Sequence, residues 1–317
     1  MNILVTGAAG FIGSHLCDWL VDNNHFVVGL DNFDEFYSPS IKENNILKIT
    51  GQKNFVLIRD DIRNENTLKA IFKEYNIECV FHLAARAGVR PSILNPAMYA
   101  ETNINGTISI LEAMKATNVH NMVFASSSSV YGNQSKAPFS ESDPALEPIS
   151  PYAATKRAGE LICYTYHHLY QFNITCLRFF TVYGPRQRPE MAIHQFARKI
   201  LNHQTISLFG DGSTSRDYTY IDDILSGIMG AFNNLFGYNI INLGNSSPTT
   251  LLELIGLLEH SLSVKAIIEY LPLPPGDVNS TFADITKATR KLNYLPKVGI
   301  QDGIEIFCRW LHRTEYQ

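Results

Sequence analysis

Two residues one helical turn apart have the chemistry to abstract a proton. In SPYAATKRAGE (150–160), Tyr152 and Lys156 stand at i and i+4, so on a helix they share one face. Ser150 suits the N-cap and Pro151 the first helical position, which together mark a helix start. A phenol with a pKa of about 10 is a poor base at neutral pH. A neighbouring ammonium favours the phenolate and lowers that value, so the pair makes a general base. The same spacing also fits a surface tyrosine beside a solvated lysine, and the rest of the chain must decide. A second stretch, FASSSSVYG (124–132), sets four serines after the apolar run Met122-Val123-Phe124. Serine is a poor strand former, so the run reads either as a polar turn or as small hydroxyls presented to a ligand at a strand end.

A third stretch, VTGAAGFIGSH (5–15), spaces Gly7, Gly10 and Gly13 as GxxGxxG, with Phe11 and Ile12 between the last two. Between a strand and a helix each glycine has a use. Gly7 permits a tight turn, Gly10 lets the backbone approach a pyrophosphate, and Gly13 lets the helix pack closely on the strand. The helix N-terminus adds N–H groups and the positive end of its dipole. Asp31 ends the next apolar run and suits the 2′-hydroxyl of an NAD ribose, while repelling the 2′-phosphate of NADP. No Arg or Lys lies between Asp31 and Ser40, so NAD is the expected cofactor.

These groups need a scaffold that sets them at strand ends. Apolar strand-like runs occur at Ile3–Val5, Phe26–Leu30, Phe55–Ile58, Cys79–Leu83, Met122–Ala125 and Ile174–Phe179. Helical periodicity occupies about 11–23, 65–75, 97–117 and 151–170 between them. Alternating elements with near-continuous apolar strands predict an α/β fold, a Rossmann-type doubly wound parallel sheet. Beyond residue 185 the elements shorten, and GDGSTSRD (210–217) and LPLPPGDVN (271–279) are rich in Gly and Pro. This predicts a first domain over 1–185 holding the dinucleotide and Tyr/Lys pair, and a smaller α/β substrate-binding lobe over 186–317, with some segments returning to the first. A helix at 190–202 is expected to pack still on the first sheet.

Composition narrows the class. The 317 residues are 45% apolar with a formal charge of -4, which argues against a nucleic-acid partner. Five scattered cysteines without a CxxC pair read as reduced buried thiols rather than disulfides or a metal site. MNILVTG leads straight into the first strand pattern and no apolar run of about 20 residues occurs, so a cytoplasmic protein without a membrane partner is expected.

GAAGFIG, FHLAA (81–85), NINGT (103–107), SSSSVYG, PYAATK, LRFFTVYGP and SRDYTYIDD resemble, in order and over essentially the whole chain, the extended short-chain dehydrogenase/reductases that act on nucleotide sugars. Within that group, AGVRPSILNPAMYAETNINGT (87–107) and FFTVYGPRQRPEMA (179–192) are most similar to the NAD-dependent UDP-glucuronate 4-epimerases. The resemblance implies that Ser127 hydrogen-bonds the sugar hydroxyl being oxidised, beside the catalytic Tyr152 and Lys156. Dehydratases of the group carry Asp-Glu at the next two positions, and decarboxylases carry Glu at the second. Here those are Ser128 and Ser129, which leaves hydride removal and return. The resemblance also places Asp61 and Ile62 near the adenine, Leu83, Ala84, Ala85, Asn103 and Tyr152 along the cofactor, and Lys156 on the nicotinamide ribose. Core packing would equally explain FHLAA and Ile62. The group's usual Gly at position 60 is Asp60 here, so the adenine loop is expected to differ slightly.

For a UDP-sugar, the resemblance implies substrate contacts from Ser127, Ser128, Thr181, Arg188, Leu208, Phe209, Arg216 and Asp277, with no metal. Arg188 suits the glucuronate carboxylate, which an arginine can hold bidentately. Arg216 suits the diphosphate, the backbone at Leu208 and Phe209 the uracil, and Asp277 the uridine ribose. Arg86, Arg90 and Arg186 stay unranked between pocket and solvent. Alternatives are a 4-epimerase for UDP-glucose or UDP-N-acetylglucosamine, a UDP-glucuronate decarboxylase, and a non-catalytic NAD-sensing protein. A homodimer through helices near 97–117 and 151–170 is implied.

Overall fold

A strand covered on both faces must be apolar throughout, and the N-terminal half of the chain supplies such strands. A computed structural model describes residues 1–134, 136–272 and 280–315. The elements run β1 (Asn2–Thr6), α1 (Phe11–Asp22), β2 (Phe26–Asp31), α2 (Pro39–Ile46), β3 (Phe55–Arg59), α3 (Glu65–Glu74), β4 (Cys79–His82), α4 (Val89–Leu94) and α5 (Pro96–Ala100). A π-helical turn over Glu101–Asn105 leads into α6 (Gly106–Ala116). Then follow β5 (Asn121–Ser127), α7 (Pro151–Tyr170) and β6 (Asn173–Phe179). All six expected strands form. The expected 97–117 helix is divided by the π turn, in which Asn103 is buried.

The remaining elements are β7 (Thr181–Tyr183), α8 (Ala192–Leu201), β8 (Thr205–Phe209), β9 (Ser215–Tyr220), α9 (Ile221–Asn233) and β10 (Tyr238–Leu243). After them come β11 (Pro248–Thr250), α10 (Leu251–Leu262), β12 (Ile267–Leu271), β13 (Ser280–Thr281), α11 (Thr286–Leu292) and α12 (Ile300–Glu315).

The main sheet has the order β10-β6-β5-β4-β1-β2-β3, and β3, β2, β1, β4 and β5 pair in parallel. The chain builds outward from β1 to β3, then jumps back to lay β4 on the other side of β1. This reversal is a topological switch point, and the carboxyl ends of the strands there are where a doubly wound sheet binds its ligand. One face of the sheet is closed by Leu4, Val28, Leu68, Ile71, Phe72, Val80 and Met114 among others, all buried.

Two compact units divide the chain. The first comprises Met1–Gly132, Pro144–Arg178 and Ile228–Ile241, and the second Asn133–Asp143, Phe179–Gly227 and Asn242–Gln317. The chain re-enters the first unit within α9 and leaves it within β10. The expected boundary at 185/186 lies just inside the second unit. One expectation is corrected: α8, expected at 190–202 against the first sheet, belongs to the second unit and packs on β8 and α10. Its apolar residues Ile193, Phe196, Ala197 and Ile200 make one buried stripe, and a stripe needs a partner without specifying which. In the second unit β9 carries β7, β11 and β13, while β8 pairs only with β12 among the described residues.

Candidate active site

The glycine turn is shaped by backbone contacts that no side chain would survive. Gly7 has φ 71°, and a Cβ there would sit 2.8 Å from the amide N of Ala84. A Cβ on Gly13 would sit 2.0 Å from the carbonyl O of Gly7. The N-cap of α1 is Gly10, which brings no side-chain acceptor, and the first turn holds no acidic residue. The N-terminal end of α1 is thus free of any competing carboxylate of its own, which fits a pyrophosphate. On one flank Asp31 accepts the amide of Ala9 at 3.1 Å and that of Phe33 at 2.9 Å. On the other, Ala84 N donates to Thr6 Oγ1 at 3.1 Å and Leu83 N to Thr6 O at 3.2 Å. Leu83, Ala84 and Ala85 are half-buried, and the backbone of Leu83 and Ala84 lies against Gly7.

Lys42, from the middle of α2, lies 3.6 Å from Asp31 with its side chain almost wholly buried. Sequence reading stopped at Ser40 and missed it. Its charge is engaged by Asp31 itself, so it neutralises the acid rather than offering a site for a 2′-phosphate.

Three further cofactor candidates have partners within the protein. Asp61 receives Arg63 Nε at 2.8 Å and Asn32 Nδ2 at 2.9 Å. Burial pushes its carboxyl up, but the Arg63 and Asn32 bonds prevail and hold it below the usual carboxylate range. The side chain of Ile62 packs in the core. Asn103 is buried, and both its amide hydrogens are used: Nδ2 donates to Arg86 O at 3.0 Å and to Thr155 Oγ1 at 3.0 Å. Its Oδ1 accepts from Arg86 N at 2.8 Å. Asn103 therefore buttresses the loop after β4. Asp60, where a glycine was expected, accepts Asn64 Nδ2 at 2.9 Å and the hydroxyl of Thr67, which caps the approach to α3.

Tyr152 and Lys156 stand on a helix that starts where its cap predicts. Ser150 Oγ accepts the amide of Ala153 at 3.1 Å, and Pro151 opens α7. The ring of Tyr152 meets that of Tyr99 edge-on, centroids 6.3 Å apart. Lys156 is buried and donates from Nζ to the carbonyl of Ala125 at 2.7 Å. Burial lowers its pKa to about 8, opposed in part by Cys163, Glu160 and Cys176. His82 beneath it is neutral, lowered to about 3 by burial and by the Lys156 charge, and its ring bridges Thr6 Oγ1 and Thr107 Oγ1.

The four serines divide their tasks. Ser126 is buried and donates to Glu160 Oε1 at 2.6 Å. Ser127 ends β5 and caps the short turn Ser128–Tyr131. Its Oγ accepts both the amide of Ser129 at 3.2 Å and the hydroxyl of Ser129 at 2.9 Å. Two bonds accepted leave the Ser127 hydroxyl hydrogen to be given outward. Ser129 thus orients Ser127, a role the residue type alone did not reveal. Glu160, also missed, is fully buried with Arg178 at 2.7 Å through both oxygens and Arg157 at 2.9 Å. Burial alone would raise its carboxyl, but the Arg178 contacts hold it below the usual range.

Of the expected substrate residues, Ser127 and Ser128 lie in the first unit, and Thr181, Arg188, Leu208, Phe209 and Arg216 in the second. Thr181 begins β7 and is half-buried. Arg188 lies 3.2 Å from Glu190, a partner two-fifths exposed. Arg186 has a left-handed φ of 65°. Leu208 and Phe209 lie on β8, opposite Tyr270 and Leu271 of β12. Arg216 is on β9 and donates to Ser215 O at 2.8 Å. The next residue, Asp217, is buried and accepts the amides of Asn245, Ser246 and Ala283. Asp277 lies outside the described residues. Of the unranked arginines in the first unit, Arg86 pairs with Asp34, and Arg90 is exposed on α4.

Residues 4–307 match the family described as GDP-mannose 4,6 dehydratase. The chain belongs to that family. It is 44% identical over 308 residues to the UDP-glucuronate 4-epimerase of Thermodesulfobacterium geofontis, covering 97% of this chain and 95% of that protein. The crystal structure of the UDP-glucuronic acid 4-epimerase of Bacillus cereus, in complex with UDP-glucuronic acid and NAD, is 40% identical with a TM-score of 0.93, covering 99% of both chains. The UDP-glucose 4-epimerase of Thermotoga maritima, with UDP-glucose, is 34% identical with a TM-score of 0.91, covering 99% of both. The dehydratase for which the family is named eliminates water, yet the positions that resemblance assigns to eliminating carboxylates are Ser128 and Ser129 here. Among the described residues no helix is long and apolar enough to cross a membrane.

Proposed function

We propose that this protein is an NAD-dependent UDP-sugar 4-epimerase, an isomerase that interconverts UDP-glucuronate and UDP-galacturonate. The observation that carries this reading is the turn after β5, where Ser129 sets the Ser127 hydroxyl and no carboxylate stands at either following position. With no acid–base pair for elimination, Tyr152, Lys156 and Ser127 support proton exchange at one sugar hydroxyl. Tyr152 takes the C4 hydroxyl proton, and Ser127 donates a hydrogen bond to that oxygen. The charge of Lys156 favours the phenolate. NAD bound there would supply hydride chemistry at C4, taking up the hydride and giving it back, with no net redox change. Gly7, Gly10, Phe11, Ile12, Gly13, Asp31, Asp61, Ile62, Leu83, Ala84 and Ala85 would hold it.

The second unit would add Thr181 and Arg188 for the sugar, Leu208 and Phe209 for the uracil and Arg216 for the diphosphate. Oxidation at C4 makes glucuronate a β-keto acid, prone to lose carbon dioxide. Arg188 would hold the carboxylate so that the breaking bond stays misaligned. The Glu190 contact favours a second reading, a neutral UDP-hexose as substrate, since a bound carboxylate must displace it. Exposed Ile108, Leu161 and Tyr164 on α6 and α7 support a homodimer through these helices, testable by light scattering. Five buried free cysteines support a reducing, cytoplasmic setting.

Proton NMR of UDP-glucuronate with the purified protein, without added NAD, tests the reading. UDP-galacturonate without pentose is expected. Turnover of UDP-glucose alone would move the assignment to a neutral hexose, and UDP-pentose would establish decarboxylation.

A further inference from the structure

Asp34 and Arg86 form an ion pair, Arg86 Nη2 to Asp34 Oδ2, with side chains 28% and 21% exposed. Asp34 lies three residues beyond the end of β2, and Arg86 four beyond the end of β4. Strand β1 lies between those two strands. The pair therefore joins loops on opposite flanks of the glycine turn that follows β1.

Both ends are set before they meet. Asp34 N donates to Asn32 Oδ1 at 3.0 Å, and Asp34 Oδ1 accepts the amide of Phe36 at 2.9 Å, which turns Oδ2 toward Arg86. The Arg86 backbone is clamped on both sides by Asn103, and its guanidinium lies 6.0 Å from the centroid of the Phe36 ring. The sheet already holds β4, β1 and β2 in register. The pair adds nothing to that pairing; it adds closure at the carboxyl end of β1, where a dinucleotide on the glycine turn lies.

We propose that Arg86 and Asp34 form a strap across the cofactor site that must open before NAD can leave, so that the pair sets the lifetime of bound NAD. The proposal rests on the reading of NAD as retained cofactor. A catalyst that regenerates its cofactor each turnover gains from slow release, because every loss interrupts the cycle.

The test measures NAD content per chain and the rate at which bound NAD exchanges with excess radiolabelled NAD. It compares the wild type with Arg86→Gln, Asp34→Asn and the double variant. Each single change should speed exchange roughly five-fold, the upper range for a partly exposed pair. The double variant should be no faster than the faster single, since either change alone already opens the strap. Acceleration by Arg86→Gln alone would mean that Arg86 grips the cofactor directly and would overturn the strap, as would no acceleration by either. A wild type that holds no NAD and takes up none would overturn the cofactor reading and the strap with it.

Discussion

Replacing Gly13 by alanine and Gly256 by alanine makes the same chemical change in two helices, and opposite results are expected. At Gly13 the new Cβ would sit 2.0 Å from Gly7 O, 2.9 Å from Gly7 C and 3.2 Å from Ala8 Cα. All three are backbone atoms of the turn, so no side chain can swing aside. The contact must open from 2.0 Å to at least 3.0 Å, which moves the start of α1 away from the turn that receives the pyrophosphate. Overpacking of this kind costs about 1–3 kcal/mol. The displaced amides also lose their aim, so bound NAD should be lost. At Gly256, exposed on α10, a Cβ meets nothing within 4 Å. There alanine replaces the poorest helix former short of proline and should add about 0.5–1 kcal/mol. Urea unfolding and NAD quantified after denaturation measure both effects. A Gly13→Ala protein with wild-type NAD content and stability would refute the claim that helix-to-turn contact shapes the site.

Ser129→Ala removes the hydroxyl that orients Ser127, a bond worth about 0.5–1.5 kcal/mol; kcat should fall about two- to twelve-fold with KM little changed, as steady-state kinetics would register. Lys156, held near 8 by burial, loses its charge as pH rises past that value, so kcat should drop about ten-fold for each further pH unit. Its depressed pKa acts on stability in the opposite sense. The unfolded lysine keeps its proton up to 10.5, so this residue's contribution is fully present above that value and lost as pH falls through about 8. A pH profile of kcat alongside Tm separates discharge from unfolding. Glu160→Gln strands the buried charge of Arg178 and should cost about 3–5 kcal/mol in urea unfolding; a loss under about 1 kcal/mol would show that the network is not what ties α7 to β5 and β6.

The glycine turn, the six strands of the first sheet and the capped start of α7 were legible in the sequence because each depends on residues adjacent along the chain. A tight turn needs glycine wherever it occurs, a doubly covered strand must be apolar, and a serine before proline caps a helix by itself.

What tertiary structure decided were partnerships between distant residues. Lys42 reaches Asp31 only because α2 packs against α1, beside the glycine turn. Glu160 meets Arg178 and Ser126 only because α7, β6 and β5 stack. Asn103 meets Arg86 and Thr155 only because the loop after β4 and α7 both come to the π turn that carries it. The placement of α8 was misjudged because an apolar stripe states that a helix must be covered and is silent on what covers it. Residue type and local pattern thus set the chemistry available and the local geometry that presents it. Which charges face one another, and therefore which are spent on holding the fold and which remain for a ligand, is set by the packing of elements far apart in the chain.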